Sequence, residues 1–221
     1  MIDTEAYIDQ LKKKLIQRFG TRLVYMGLQG SYLRGEATDS SDIDVMVVLE
    51  KLSVSDLDHY REIIREMDHF ERSCGFICSK MDLANWNPLE IWQLLNGTKD
   101  CHGTLRQLVP AYTKEDIRTF VKLSLNNMYH EICHRYIHSG YEKNKAKLAG
   151  TYKGVFFILQ NVYYLRNGVY IGTKAELLSL LGGNDQAVLL RSIELSNGIA
   201  DDFPESFELL FNWCQNTLST L

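Results

Sequence analysis

Residues 28–48 read LQGSYLRGEATDSSDIDVMVV, and the rest of the chain is parsed outward from this stretch. It begins at the end of one apolar run, RLVYMGLQ (22–29), and closes inside another, IDVMVVL (43–49). Both runs are rich in β-branched and other apolar residues and are bounded by turn formers, the pattern of buried strands. Between them, Gly30-Ser31 predicts a tight turn into a short helix. Glycine permits close backbone approach there, and a serine hydroxyl with free N–H groups can hold phosphate oxygens. Gly35 and the polar loop Glu36 to Ser41 return the chain to the second strand, which opens with Asp42 and Asp44. Side chains alternate along a strand, so the two carboxylates share one face, about 6 to 7 Å apart. They repel each other unless a cation lies between them, and hard oxygen ligands of this kind suit Mg²⁺ bound jointly with substrate phosphates.

Upstream, MIDTEAYIDQLKKKLIQRF opens with acids and reads as an amphipathic helix; it lacks the basic and apolar regions of a signal peptide. Downstream, Leu57, Tyr60, Ile63, Ile64 and Met67 fall at helical spacing within 55–70. A third strand is predicted over 75–79, with a reach to Leu83. From Thr113 the pattern is all-helical, with helices expected at 113–139, 145–166, 173–181, 184–196 and 205–219. The fold class is therefore α+β, with domains at 1–112 and 113–221.

The 221 residues carry 24 basic and 28 acidic side chains, a net charge of −4. That sign disfavours duplex nucleic acid as a partner, because duplex-binding domains carry a basic stripe. No apolar run approaches the ~18 residues of a membrane span; GVFFILQNVYYL (154–165) is broken by Gln160 and Asn161. Five cysteines without a compact framework suit reduced thiols, and a cytoplasmic location with no membrane contact is expected.

Gly30-Ser31 followed by Ser41-Asp42-Ile43-Asp44 resembles the signature of the polymerase-β-like nucleotidyltransferase superfamily. The local form GSxxRGxxxxxSDID is similar to aminoglycoside nucleotidyltransferases of the kanamycin and streptomycin type and to the minimal nucleotidyltransferases related to them. The resemblance implies a small mixed-sheet nucleotidyltransferase domain followed by a C-terminal helical bundle. It implies an enzyme that moves a nucleoside monophosphate, AMP from ATP being the expected case, to a hydroxyl of a small-molecule acceptor. Asp42 and Asp44 would hold metal, with two Mg²⁺ ions expected. Gly30, Ser31 and Ser41 would cradle the β- and γ-phosphates of the nucleoside triphosphate, with Arg34 in reach. The family adds a third carboxylate on the next strand. Asp82 in GFICSKMDLANW is the leading choice for it, with Asp68 and Glu71 as weaker rivals.

A triphosphate needs more positive charge than two carboxylates leave. The concentrated supply is 133–166, which holds Arg135, Lys143, Lys145, Lys147, Lys153 and Arg166 against Glu142. In similar two-domain enzymes a basic residue of the second domain contacts the triphosphate, which points to Lys153, flanked by Tyr152, and next to Lys147. A homodimer that completes the cleft is compatible with this layout. His130-Glu131-Ile132-Cys133-His134 matches HExxH, and His138 extends the stripe, but no downstream third ligand follows, so core or cleft wall is the expected role. Cys101-His102, between Gly97 and Gly103, reads as a loop, and Cys74 and Cys78 lack a partner pair for zinc. Tyr152, Tyr163, Tyr164 and Trp86 are candidates to line a base or acceptor pocket, with core as the default. Transfer to a protein or an RNA end, and a non-catalytic nucleotide-binding module, are the alternatives; the acidic balance weighs against RNA.

Overall fold

Leu23–Leu28 (β1) and Ile43–Leu49 (β2) pair antiparallel at the centre of a four-stranded sheet. The computed structural model describes residues 2–199 and 202–221. Its chain folds as two units, Met1–Tyr112 and Thr113–Leu221.

In the first unit the strand order is β3-β2-β1-β4, where β3 is Ser73–Ser79 and β4 is Lys99–His102. β3 runs parallel to β2 and β4 antiparallel to β1, so the sheet is mixed. The helix Thr4–Phe19 (α1), capped by the Asp3 side chain, lays Tyr7, Leu11, Leu15 and Phe19 on one face beside Val45 and Val47. Met46 and Val48 meet Tyr25, Leu83 and Leu105 on the other. Burial on both faces is why β2 reads as a continuous apolar run rather than an alternating one.

A parallel neighbour requires a crossover. Val54–Arg65 (α3) supplies it, started by a capping box between Ser53 and Asp56. The helical pattern extends to residue 70, but the helix stops at Arg65. Met67 turns inward, 4% exposed, and His69 takes a left-handed φ of 62° through which an α-helix cannot continue. The third strand starts two residues earlier than its pattern suggests. Gly75 lets it lie close on β2, because at its φ of 120° a Cβ would collide with the backbone of Val45.

Gly30–Arg34 (α2) is the expected short helix after β1. Lys80–Ala84 (α4) and Pro88–Asn96 (α5) follow β3. The segment read as a loop around Cys101-His102 is instead the edge strand β4, with Asp100 opposite Gly27 and Lys99 opposite Leu28. Four residues are too few to show a strand period. What holds them is tertiary: buried Tyr25 donates its hydroxyl to Asp100 Oδ1 at 2.8 Å.

The second unit is helical: Lys114–His138 (α6), Tyr141–Asn167 (α7), Lys174–Leu180 (α8), Gly183–Ser196 (α9) and Phe203–Thr220 (α10). Val121, Leu125 and Ile132 of α6 pack with Leu148, Val155 and Leu159 of α7, Val188 and Leu189 of α9, and Leu210 and Trp213 of α10. Gln160, which interrupts the apolar run of α7, is buried and donates to the carbonyl of Ile171 at 2.7 Å. Among the described residues no helix is long and apolar enough to cross a membrane.

Candidate active site

The entrance of β2 is where the sequence-predicted acids meet. Asp44 is the strand's second residue and half-buried; Asp42 lies one residue ahead of the strand, exposed, rather than within it. Gln29, at the end of β1, donates its N–H to the Asp44 carbonyl at 2.8 Å, which fixes the turn against the acid-bearing strand. Gly30 has a φ of 71°, and a Cβ there would run into the Asp44 carboxylate. The turn and the acid are therefore built against each other, and only glycine leaves the carboxylate room. Gly35, left-handed at φ 69°, ends α2 and turns the chain back. In the returning loop Ser41 Oγ accepts from the Thr38 N–H at 2.9 Å, so the hydroxyl is part of the loop's own turn. Arg34 Nε donates to Glu36 Oε2 at 2.9 Å. Gly30, Ser31, Arg34, Ser41, Asp42 and Asp44 thus share one end of the sheet.

Among the described residues no group of three or more His, Cys, Asp or Glu is arranged to hold a metal ion. The donor set at β2 is two carboxylates flanked by an open glycine turn. Such a set fits Mg²⁺, which takes one or two carboxylates and completes its octahedron with water and substrate phosphates.

Asp82 does not belong to this group. β2 and β3 are parallel, with Asp44 beside Cys74 and Leu49 beside Ser79. Asp82 follows Ser79, so it lies beyond the far end of β3, about 16 Å along the strands from the Asp44 level. It sits in α4, where it and Ser79 form a capping box: its carboxylate accepts from the Ser79 N–H at 2.9 Å while Ser79 Oγ accepts from the Asp82 N–H at 3.1 Å. These contacts hold its carboxyl below the usual carboxylate range, through hydrogen bonds from Ser79. At that distance, and engaged in the cap, Asp82 is not the third carboxylate beside Asp44.

The side chain at the corresponding place on β3 is Cys74, exposed and hydrogen-bonded to Asp44; burial pushes its thiol up and the Asp44 contact adds to that. Glu71, exposed in the turn Phe70–Arg72 just before β3, is the acid that enters at this end. Residue type alone gave no reason to single out Cys74. Its start-of-strand position opposite Asp44 is a matter of register, and register needs the fold.

In the second unit Lys147 and Lys153 are exposed on α7. Two other cations of that segment are engaged locally: Arg135 with Glu131 and Thr151, and Arg166 with Asp185 at 2.7 Å. Tyr152 is fully buried and donates its hydroxyl to the Ser206 carbonyl at 2.7 Å, a core role and not a pocket one. Trp86 donates to Glu90 at 2.7 Å and stacks on Phe76. The HExxH histidines form an exposed stripe on α6, His134 and His138 with ring centres 4.7 Å apart, and Glu131 is paired with Arg135.

Comparison with known proteins agrees with the geometry. Residues 8–93 match the model of the nucleotidyltransferase domain family. The protein adenylyltransferase MntA of Thermococcus cleftensis is 38% identical over 66 residues, 28% of this chain and 65% of MntA. MJ1305 of Methanocaldococcus jannaschii is 33% identical over 60 residues, 27% of this chain and 40% of that protein. The chain thus spans less than two thirds of the length of either relative. A crystal structure of the spectinomycin adenyltransferase AAD(9) from Enterococcus, solved with ATP and spectinomycin, superposes with a TM-score of 0.62 at 14% identity, covering 97% of this chain and 99% of that one. Residues 8–93 thus carry a nucleotidyltransferase domain, the domain of a phosphorus-transferring enzyme; within it the chain is similar to MntA, and along its whole length the fold is similar to that of AAD(9).

Proposed function

We propose that the protein transfers AMP from ATP to a hydroxyl of a small molecule, with residues 1–112 as the catalytic domain and Asp42 and Asp44 as its metal ligands. The observation that carries the reading is Gly30: a residue without a Cβ, at a φ only glycine adopts freely, set directly against the Asp44 carboxylate. Mg²⁺ held by Asp42 and Asp44 would neutralise triphosphate charge and polarise the α-phosphate.

The chain's own groups do the rest. Gly30 and Ser31 receive the β- and γ-phosphates against the turn, and Ser41 and Arg34 border the same end of the sheet. Lys147 and Lys153 are the proposed source of further positive charge. The acceptor oxygen forms a bond to the α-phosphorus as the bond to the bridging oxygen of pyrophosphate breaks in line with it. The full-length likeness to an adenyltransferase solved with ATP and a small-molecule acceptor supports both the nucleotide and the acceptor class.

The test is pyrophosphate release from each nucleoside triphosphate with Mg²⁺ and an aminoglycoside and aminocyclitol panel, with Asp44→Ala as the inactive control. Turnover that needs both acceptor and Asp44 supports the reading. Nucleotide binding without turnover across the panel turns it towards the non-catalytic module.

A second reading is transfer to a protein hydroxyl, favoured by the 38% identity to MntA within the catalytic domain. Intact-mass analysis of co-expressed proteins separates the two: a mass gain of one AMP on a protein chain, lost in Asp44→Ala, selects it.

A further inference from the structure

His130, His134 and His138 fall at i, i+4 and i+8 on α6, and all three are exposed. Side chains four apart on a helix lie one above the other, so the three rings form a column along its last turns. They meet one another and, among the described residues, make no hydrogen bond or ion pair. Arg135, the cation of the same stretch, is buried and committed to Glu131 and Thr151. Each ring in its neutral form therefore keeps a nitrogen lone pair for a ligand from solvent.

One ion cannot take all three, because His130 and His138 are about 12 Å apart along the helix axis. Spacing within the column selects the pair. An imidazole nitrogen binds a transition metal at about 2.0 to 2.1 Å, which puts the ring centre about 3.2 Å from the ion. Two rings in adjacent coordination positions, at about 90° to 110°, then have centres about 4.5 to 5.2 Å apart. The ring centres of His134 and His138 are 4.7 Å apart, inside that window. Those of His130 and His134, the pair of the HExxH motif, are 6.0 Å apart, which needs an angle of about 140° at the ion. Imidazole also selects the class of ion, since it suits zinc, copper and nickel, whereas carboxylates and water suit Mg²⁺.

We propose that His134 and His138 form a bidentate site for a divalent transition-metal ion. Two protein ligands leave the other coordination positions to water, so the ion is exchangeable and braces the last turn of α6 from outside. Neither residue is among the nucleotide ligands proposed above, and the site is separate from nucleotidyl transfer.

Ni²⁺, titrated by calorimetry into the untagged full-length protein with excess Mg²⁺ to occupy the carboxylates, tests it. The expected result is one site whose filling broadens the imidazole proton resonances of His134 and His138 ahead of the other histidines. His134→Ala and His138→Ala each weaken Ni²⁺ by about a hundredfold, since the remaining ring then holds the ion alone. His130→Ala and Cys133→Ser change the affinity by less than about twofold. Ni²⁺ raises the melting temperature of the unaltered protein and not that of His134→Ala or His138→Ala, because an ion that binds only the folded helix stabilises it. The three histidines are exposed, so removing one leaves the core intact, and circular dichroism checks this. Affinity untouched in His138→Ala, or an equal loss in His130→Ala, overturns the proposal. So does a loss in Cys133→Ser as large as that in His134→Ala, because the thiol would then be the ligand.

Discussion

Asp44 and Asp82 stand at opposite ends of the same parallel pair of strands, and they differ in where their oxygen lone pairs go. Asp82 accepts from the backbone of Ser79 and closes a capping box. Asp44 packs its carboxylate into the place a Cβ of Gly30 would take, and its neighbour across the sheet is a thiol, not a basic group. A carboxylate is available as a metal ligand when its partner is a weak, displaceable donor such as a thiol rather than the backbone N–H of a helix cap. Acid content and approximate spacing do not make that distinction.

The strongest test of the comparison is to remove the open acids. Asp42→Ala and Asp44→Ala should each lower pyrophosphate release by about a thousandfold or more, as expected when the groups that place charge against the transferred phosphoryl are lost. Circular dichroism should be unchanged, because both acids sit at the sheet's entrance and not in its core. Retained turnover in Asp44→Ala would place the chemistry elsewhere.

Gly30→Ala probes the space rather than the acid. The substitution carries a left-handed backbone cost of about 1 to 2 kcal/mol and also pushes the Asp44 carboxylate aside. Gly35 provides the control. Its φ is 69°, but a Cβ there meets nothing within 4 Å. Gly35→Ala should therefore share the backbone cost without the displacement, and the turnover ratio of the two variants isolates the effect on Asp44. A loss of about a hundredfold in Gly30→Ala, against less than tenfold in Gly35→Ala, is expected from misplacing one catalytic group.

The contrast between the two acids also shows what was legible before the fold was known. The turn and both central strands were readable because Gly-Ser and the apolar runs are local and contiguous, whereas the second strand opens at Ile43 and leaves Asp42 one residue ahead of it. β4 was not, since Lys99–His102 is held by Tyr25 and by β1 and not by any pattern of its own. Asp82 was misread although its signal was present: Ser79-Lys80-Met81-Asp82 has the serine-x-x-acid form of a capping box, which marks a helix start and not a strand. Cys74 became visible only through the register of β3 on β2.

The same box at Ser53 and Asp56 gives a measure of what capping acids do here. Asp56 is 6% exposed, and hydrogen bonds from Arg22, at 2.7 Å, and from Ser53 hold its carboxyl down to about 2. A carboxyl whose folded value is depressed adds stability that is complete above its unfolded value, near 4, and is lost as pH falls through the folded one. Asp56 should thus contribute about 2 kcal/mol at neutral pH that disappears between about pH 4 and pH 2. Urea midpoints across that range, with Asp56→Asn as reference, measure it; a pH-independent difference between the two proteins would remove Arg22 and Ser53 as the cause.

Asp82→Ala should have the smallest effect and is the most discriminating. If Asp82 only caps α4, the variant keeps its turnover and its dependence on Mg²⁺ concentration, while its melting temperature falls slightly. Its carboxyl is depressed in the same direction as that of Asp56, so the small loss should be present at neutral pH and vanish in acid. A third carboxylate in the reaction would behave in the opposite way, with turnover collapsing and melting unchanged. Glu71→Gln and Cys74→Asp complete the test at the other end of the strands. Should the reaction need a third acid, Cys74→Asp, beside Asp44, is where turnover should rise, whereas no change at Asp82 can produce that rise from the far end of β3.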